Sequence, residues 1–374
     1  MTANAITLLV DGAQAFPEIL RAIQQARTSV EINMFIWRDD RIGNRMGEAV
    51  LAAADRGVQV HLDLDRYGVV LEKCEEEKTS FFHKTQSLSE KLKIKALEWI
   101  YPETCRGKGP QDVETPLYRQ IMAHPNITVR AHRFKADHSK YYIIDQEILF
   151  LGGINIEDKE NGQDRRGRVY GDYMAKLIGR EYVRAFRAKL EDGEDLLEGI
   201  FFGINRKYPV RRFQMEQLYL DLINNARQEL HITMAYFSPL QPFVDALVRA
   251  WERGVRVTVI IPRQANFQND SNQQTVKNLL KKTNGGIQVY LSPRMLHTKL
   301  VMNEEWISFG STNITKKAFA QLDEANLFLK NRDCPFRQTL LESIARDKED
   351  AWQVRDHREI RFRRFLAFLE GFLV

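Results

Sequence analysis

Short apolar runs alternate along this chain with segments of helical period. Ile6 to Val10 is an aliphatic run closed by Asp11-Gly12, which predicts a short strand. From Pro17 to Arg27 the apolar positions Ile19, Leu20, Ile23 and Ala26 recur at helical spacing. Val30 to Trp37 predicts a buried strand. Gly43 to Arg56 predicts a second amphipathic helix ended by Gly57, and Val58 to Leu64 the next strand. This order predicts an α/β fold: a mainly parallel or mixed sheet flanked by helices.

The pattern then repeats. Ala22 to Trp37 (AIQQARTSVEINMFIW) lines up with Leu222 to Phe237 (LINNARQELHITMAYF), and Ala54 to Asp65 with Trp251 to Pro262. A period this long implies duplicated domains rather than a solenoid. The expected division is a first lobe over 1–200 and a second over 201–340. The boundary falls in the stretch 193–212, with its Gly193, Gly199, Gly203, Pro209 and basic cluster. Gly57 lies 81 residues before His138, whereas Gly254 lies 43 before His297, so the first lobe carries about 38 extra residues. This insertion, about 67–116, contains Phe81, Phe82, Trp99 and Tyr101. It reads as a surface subdomain, or as a lid or membrane contact beside the site. Residues 341–374 form a tail. From Trp352 to Val374, five arginines precede an apolar end, which predicts one basic amphipathic helix, either lying in a membrane interface or docked on the core.

Each half closes on the same chemistry. His138-Ser-Lys140 opens an apolar strand that leads to Gly152-Gly153-Ile-Asn155; His297-Thr-Lys299 opens another that leads to Gly310-Ser311-Thr-Asn313. Residues two apart on a strand share a face, so each copy presents an imidazole beside an ammonium. One such triplet carries little weight. Its recurrence, with 17 residues from His to Asn in the first copy and 16 in the second, points to attack on an anionic phosphate ester.

These residues resemble the signature of the phospholipase D superfamily, H-x-K-x4-D followed by G-[GS]-x-[NS], and within it the bacterial cardiolipin synthases. The first copy matches at His138, Lys140, Asp145, Gly153 and Asn155. The second matches at His297, Lys299, Ser311 and Asn313, with Glu304 in place of Asp. The resemblance covers most of the chain outside about 70–115 and the last 25 or so residues. It implies two lobes sharing one site at their interface, and a phosphohistidine intermediate. It also implies an acidic residue at a strand start that orients a histidine. That role falls to Asp172 and Glu324, with Asp323 the rival of Glu324. The candidate catalytic set is therefore His138, Lys140, Asp145, Asp172, His297, Lys299, Glu304 and Glu324. Gly153, Asn155, Ser311 and Asn313 are the candidates for holding substrate. His138 is read as nucleophile and His297 as acid and base. Odd spacing places Asp145 on the opposite strand face from His138, which makes it structural. A Glu at the equivalent 304 is tolerable at a cost of about 1 kcal/mol or more. Two ammonium groups supply the positive charge that a metal would otherwise supply, and no spaced ligand cluster is evident. No metal or other cofactor is expected.

Composition narrows the rest. Apolar content of 44% and charged content of 28% fit a folded globular chain. A net charge of +5 is compatible with an anionic partner without choosing one. Cys74, Cys105 and Cys334 are scattered, which favours a reducing compartment. There is no run of eighteen apolar residues and no signal-peptide pattern at the N-terminus. Cardiolipin synthases often carry N-terminal membrane helices, and this chain departs from that. A cytoplasmic enzyme bound peripherally to the membrane surface is expected. Its substrate would be an anionic phospholipid: transfer between two phosphatidylglycerols gives cardiolipin and glycerol. Hydrolysis by water and cleavage of nucleic acid are the alternatives. Two motifs in one chain, and no basic stripe interleaved with stacking aromatics, count against nucleic acid. The sequence leaves the oligomeric state open.

Overall fold

A computed structural model describes residues 5–75, 79–101, 104–105, 113–131, 134–163, 167–194, 197–208 and 211–373. The end of the charged run at 76–78, much of 102–112 in the insertion, and Pro209 lie outside the described residues, as do the side chains of the last apolar residues of the tail.

Two mixed sheets form, and their strand orders match. The first runs Ile6–Val10, Tyr173–Ile178, Ile148–Gly152, Lys140–Ile144, Ser29–Met34, Gln59–Leu64, Ile127–Arg130. The second runs Ile200–Asn205, Glu324–Lys330, Trp306–Gly310, Lys299–Asn303, Glu229–Met234, Arg256–Pro262, Gln288–Ser292, with Trp352–Val354 added at the edge. In each, the strands on one side pair in parallel through helical crossovers, and those on the other side pair antiparallel.

Alternation along the strands makes a four-layer molecule. Tyr142 and Phe150 turn outward to the helices Asp11–Gln25 and Arg41–Asp55. Their neighbours Ile143, Leu149 and Leu151 turn inward and meet Leu300, Met302, Phe309 and Leu327 of the second sheet. Helices Met215–Asn225, Gln241–Glu252 and Asn269–Lys282 cover the far side of that second sheet. The inward faces carry continuous apolar side chains from both halves, so each lobe needs the other to keep them from water.

Two elements differ from the pattern-based reading. The first helix begins at Asp11, with Pro17 inside it; proline is the usual mark of a first turn, and here it lies one and a half turns further in. The tail is not one helix from Trp352. Trp352–Val354 pairs antiparallel with Gln288–Ser292, His357–Glu359 is a single tight turn, and only Arg364–Leu373 is helical. That helix packs on Asn269–Lys282, with Glu370 accepting from the Ser271 N–H at 2.7 Å.

The insertion contributes helices Gly68–Cys74 and Leu88–Ile100, which pack on each other and reach Phe267 of the second lobe. Cys74 and Cys105, 31 residues apart, meet there as thiols with their sulfurs 2.7 Å apart.

Candidate active site

Both histidines stand just outside their strands, where each strand leaves its own sheet and touches the other lobe. The His138 N–H donates to the Asp323 carbonyl at 2.8 Å, and the His297 N–H to the Gly171 carbonyl at 2.7 Å. Asp323 and Gly171 directly precede the two candidate carboxylates. Each imidazole is therefore held by a carboxylate from the opposite lobe. His138 Nδ1 lies 3.1 Å from both oxygens of Glu324, and His297 Nδ1 lies 3.0 Å from Asp172 Oδ2. Asp323, the alternative to Glu324, accepts instead from the Lys207 N–H at 2.9 Å. A proton on Nδ1 directed at a carboxylate leaves Nε2 as the reactive nitrogen.

The lysines lie beneath the rings. Lys140 and Lys299 are both fully buried. Each donates back to the carbonyl of its own histidine, and Lys299 Nζ is also 3.3 Å from Asp172 Oδ2. Burial first, and then mutual repulsion with Lys299, lowers Lys140 to about 7. Burial, followed by the charges of Lys140, Lys299 and His297, holds His138 well below the usual imidazole range. Burial raises Glu324 to about 8 against the pull of Lys140. Ser311 Oγ donates to the Glu324 carboxylate, so this residue orients the carboxylate rather than only facing substrate. At the equivalent position Gly153 leaves room for Asp172: a Cβ there would overlap the Asp172 carboxylate.

The two motif asparagines are both buried. Asn155 is buried with its Oδ1 unpartnered. Asn313 accepts from the Tyr236 N–H at 3.3 Å, lines a small cavity at His138, and keeps its NH2 for donation.

Asp145 and Glu304 do not reach the rings. Asp145 follows the last residue of the strand Lys140–Ile144, about 16 Å along from Lys140 at ordinary strand rise. It accepts from the N–H groups of Arg27, Thr28 and Ser29 and from the Thr28 hydroxyl. Glu304 does the same for Arg227 at 2.7 Å, and more loosely for Gln228 and Glu229 at 3.5 and 3.4 Å. Both tie a strand end to the turn before its neighbour, and neither is part of the reacting group of residues.

The family model described as "Cardiolipin synthase, PLD-like domain" matches residues 19–166 and 219–348, one segment on each sheet. The chain belongs to this family. Cardiolipin synthase B of Escherichia coli is 28% identical over 363 residues, covering 91% of this chain and 79% of that protein. A cardiolipin synthase of Clostridium perfringens is 25% identical over 355 residues, covering 88% of this chain and 67% of that protein. Among solved structures, phosphatidylserine synthase of Haemophilus influenzae superposes with a TM-score of 0.69 at 14% identity, over 99% of this chain and 92% of that one. A polyphosphate kinase of Porphyromonas gingivalis shares the fold with a TM-score of 0.54 at 12% identity, over 98% of this chain and 52% of that one.

In this cardiolipin-synthase-like chain one further acid reaches the site. Glu160 Oε1 lies 3.1 Å from His297 Nδ1 and is buried, and among the described residues neither of its oxygens has a hydrogen-bond partner. Burial raises its pKa despite the neighbouring His297. Its loop is held by buried ion pairs. Arg38 pairs with Glu157 at 2.7 Å and with Glu75; Lys159 lies 3.1 Å from Glu157; Asn266 of the second lobe donates to Glu75 at 2.9 Å. Glu160, Asp172 and His297 bring ligand atoms within 4.8 Å of one another, as a cation site would. The Lys299 ammonium already sits against Asp172, so the positive charge of this cluster comes from the chain itself.

Sequence reasoning missed Glu160. The signal was a break in the repeat. Counting five residues on from each motif asparagine gives Glu160 in the first half and Ala318 in the second. Ala318 lines the cavity at His138. One histidine thus has an added carboxylate, and the other has added space.

Proposed function

We propose that the protein is a phosphatidyltransferase that joins two phosphatidylglycerols into cardiolipin with release of glycerol, working at a membrane surface in the cytoplasm. The two lobes are taken as 1–200 and 201–340, with 341–374 appended. The observation that carries the reading is the pair of buried His-x-Lys groups, each backed by a carboxylate from the opposite lobe, in a chain of the cardiolipin synthase family. No helix among the described residues is long and apolar enough to cross a membrane.

His138 Nε2 attacks phosphorus, and the bond from phosphorus to the head glycerol oxygen breaks. His297 Nε2–H protonates that oxygen, and glycerol leaves. The terminal hydroxyl of a second phosphatidylglycerol then gives its proton to His297 Nε2 and attacks phosphorus. The N–P bond breaks, and His138 is free again. The difference between the rings supports this division of roles. His138 is held neutral among buried cations, whereas His297 has Asp172 and Glu160 beside its Nδ1. Lys140, Lys299, Asn155 and Asn313 serve the charge that builds on the phosphoryl oxygens. Asp172 and Glu324 position the rings.

Phosphatidylglycerol vesicles provide the test. Cardiolipin plus glycerol supports transfer; phosphatidic acid plus glycerol would mean hydrolysis; cleavage of DNA with no lipid turnover would mean a nuclease. Acid-free trapping and peptide mapping should find phosphate on His138, and phosphate on His297 alone reverses the assignment. His138→Ala and His297→Ala should each abolish product.

A further inference from the structure

The small cavity at His138 does not end there. It shares Tyr67, Val70, Leu97, Lys317 and Leu322 with a larger open groove of about 790 Å³. That volume is within the range of about 300–1,000 Å³ typical of small-molecule sites. The groove floor is apolar, with Val70, Leu97, Ile100, Ala136 and Leu322. Its charged side chains among the described residues are of one sign. Lys93, Lys207, Arg211 and Lys317 line it, and no carboxylate does among the described residues. An apolar trough with a purely cationic border, open at one end and leading to a nucleophile at the other, matches an amphiphile with a tail and an anionic head.

The wall of this groove is the insertion helix Leu88–Ile100, whose faces divide cleanly. Glu90 and Ile94 are buried, while Lys93, Ala96, Leu97 and Ile100 face the groove. The remaining face carries Leu88, Leu92 and Trp99, which fall within about 40° of one another on a helical projection. These three are 77%, 61% and 72% exposed, with Lys91 and Lys95 beside them. Large apolar side chains bordered by lysines, on a helix with a covered opposite face, suit the boundary between head groups and acyl chains. Across the groove, Phe134 and Tyr208 are also exposed, at 52% and 74%. The C-terminal helix adjoins this surface. Its Glu370 lies close enough to Tyr101, the residue that follows the insertion helix, to raise that phenol, and its Phe365 and Phe368 are exposed.

We propose that this groove receives an acyl chain of an anionic phospholipid still seated in the bilayer, with helix Leu88–Ile100 lying in the interface at its mouth. The lipid bound there is the one whose phosphorus His138 attacks. This rests on the phosphatidyltransferase reading. The site is one-sided: the equivalent stretch of the second half lacks the insertion, and Glu160 fills on the His297 side the place that Ala318 leaves open. The acceptor lipid therefore approaches by a different path from the donor.

The test uses the full chain with phosphatidylcholine vesicles prepared with and without phosphatidylglycerol. Brominated acyl chains should quench tryptophan emission in the wild type when phosphatidylglycerol is present. Trp99→Phe should remove most of that quenching, and Leu92→Glu with Trp99→Glu should lower vesicle binding by about tenfold or more. The double variant should lose turnover on vesicles to a similar degree while cleaving a short-chain, fully dispersed phosphatidylglycerol at the wild-type rate. Ala96→Trp, which narrows the groove, should shift preference toward shorter chains. Vesicle binding and quenching unaltered in these variants would overturn the proposal. Equal loss on vesicle and dispersed substrate would also overturn it, since the helix would then act only through folding. Absence of lipid turnover in the wild type would overturn the transferase reading instead, while the quenching result would still decide whether this face meets the bilayer.

Discussion

His138 and His297 carry the same motif in different electrical surroundings. Around His138 the nearest influences are buried cations, and its carboxylate partner is itself raised to about 8. A carboxyl raised from 4.5 to about 8 favours folding below 4.5. That contribution is lost as pH climbs to 8, because the folded protein must then hold a buried charge. Glu324→Gln removes this dependence. Its melting temperature relative to the wild type should climb between pH 5 and 8, as read by scanning fluorimetry at several pH values; a constant difference would show that Glu324 ionises freely. Glu160 is probed by rate. Burial beside His297 raises Glu160, so Glu160→Gln takes a titrating group out of the site and should move a limb of the kcat profile. An unmoved limb with merely reduced kcat would assign Glu160 to packing. Lys140, lowered to about 7, loses its charge in the free protein as pH passes that value. Binding of a phosphodiester should weaken on that side, measurable as a rise in KM.

At the level of strands and turns, the motif works as a clamp at each end of a five-residue strand. One end presents His and Lys; the other fastens Asp145 to three backbone N–H groups. Asp145→Ala should cost on the order of 2 kcal/mol, seen as a lower urea midpoint, with activity retained at low temperature. Gly153→Ala should act on chemistry: the new methyl displaces Asp172, and kcat should fall by about a hundredfold while urea stability changes by about 1–3 kcal/mol. The strands and helices around these points were readable from period alone, as in Val58 to Leu64 or Gly43 to Arg56, because their residues repeat locally. Trp352–Val354 was not readable. Its arginine-rich surroundings carry a helical pattern, but the backbone finds a partner in Gln288–Ser292, more than sixty residues away, and that pairing wins.

On the scale of the whole molecule, neither lobe is a complete enzyme. His138 depends on Glu324, 186 residues distant, and His297 on Asp172, 125 residues distant. The apolar sheet faces pack on each other, with helices Arg180–Leu190 and Pro335–Glu349 adding to the same core. Coexpressed as two pieces divided at Glu198, the chain should regain turnover as a complex, while either piece alone should be insoluble and inactive. A soluble active single piece would contradict a site shared between the lobes.

By itself the sequence determined the duplication, the two His-x-Lys strands, the α/β alternation and the place of the insertion. Each of these is written in residues near one another or in a repeated order of types. Only the tertiary structure decided which carboxylate serves which ring, that Asp145 and Glu304 fasten strand ends, that Glu160 joins His297, and that the insertion walls a groove leading to His138. Those facts depend on contacts between residues on opposite lobes or at opposite strand ends. A chain brings such residues together only when two apolar sheet faces close on each other, and no local spacing records that closure.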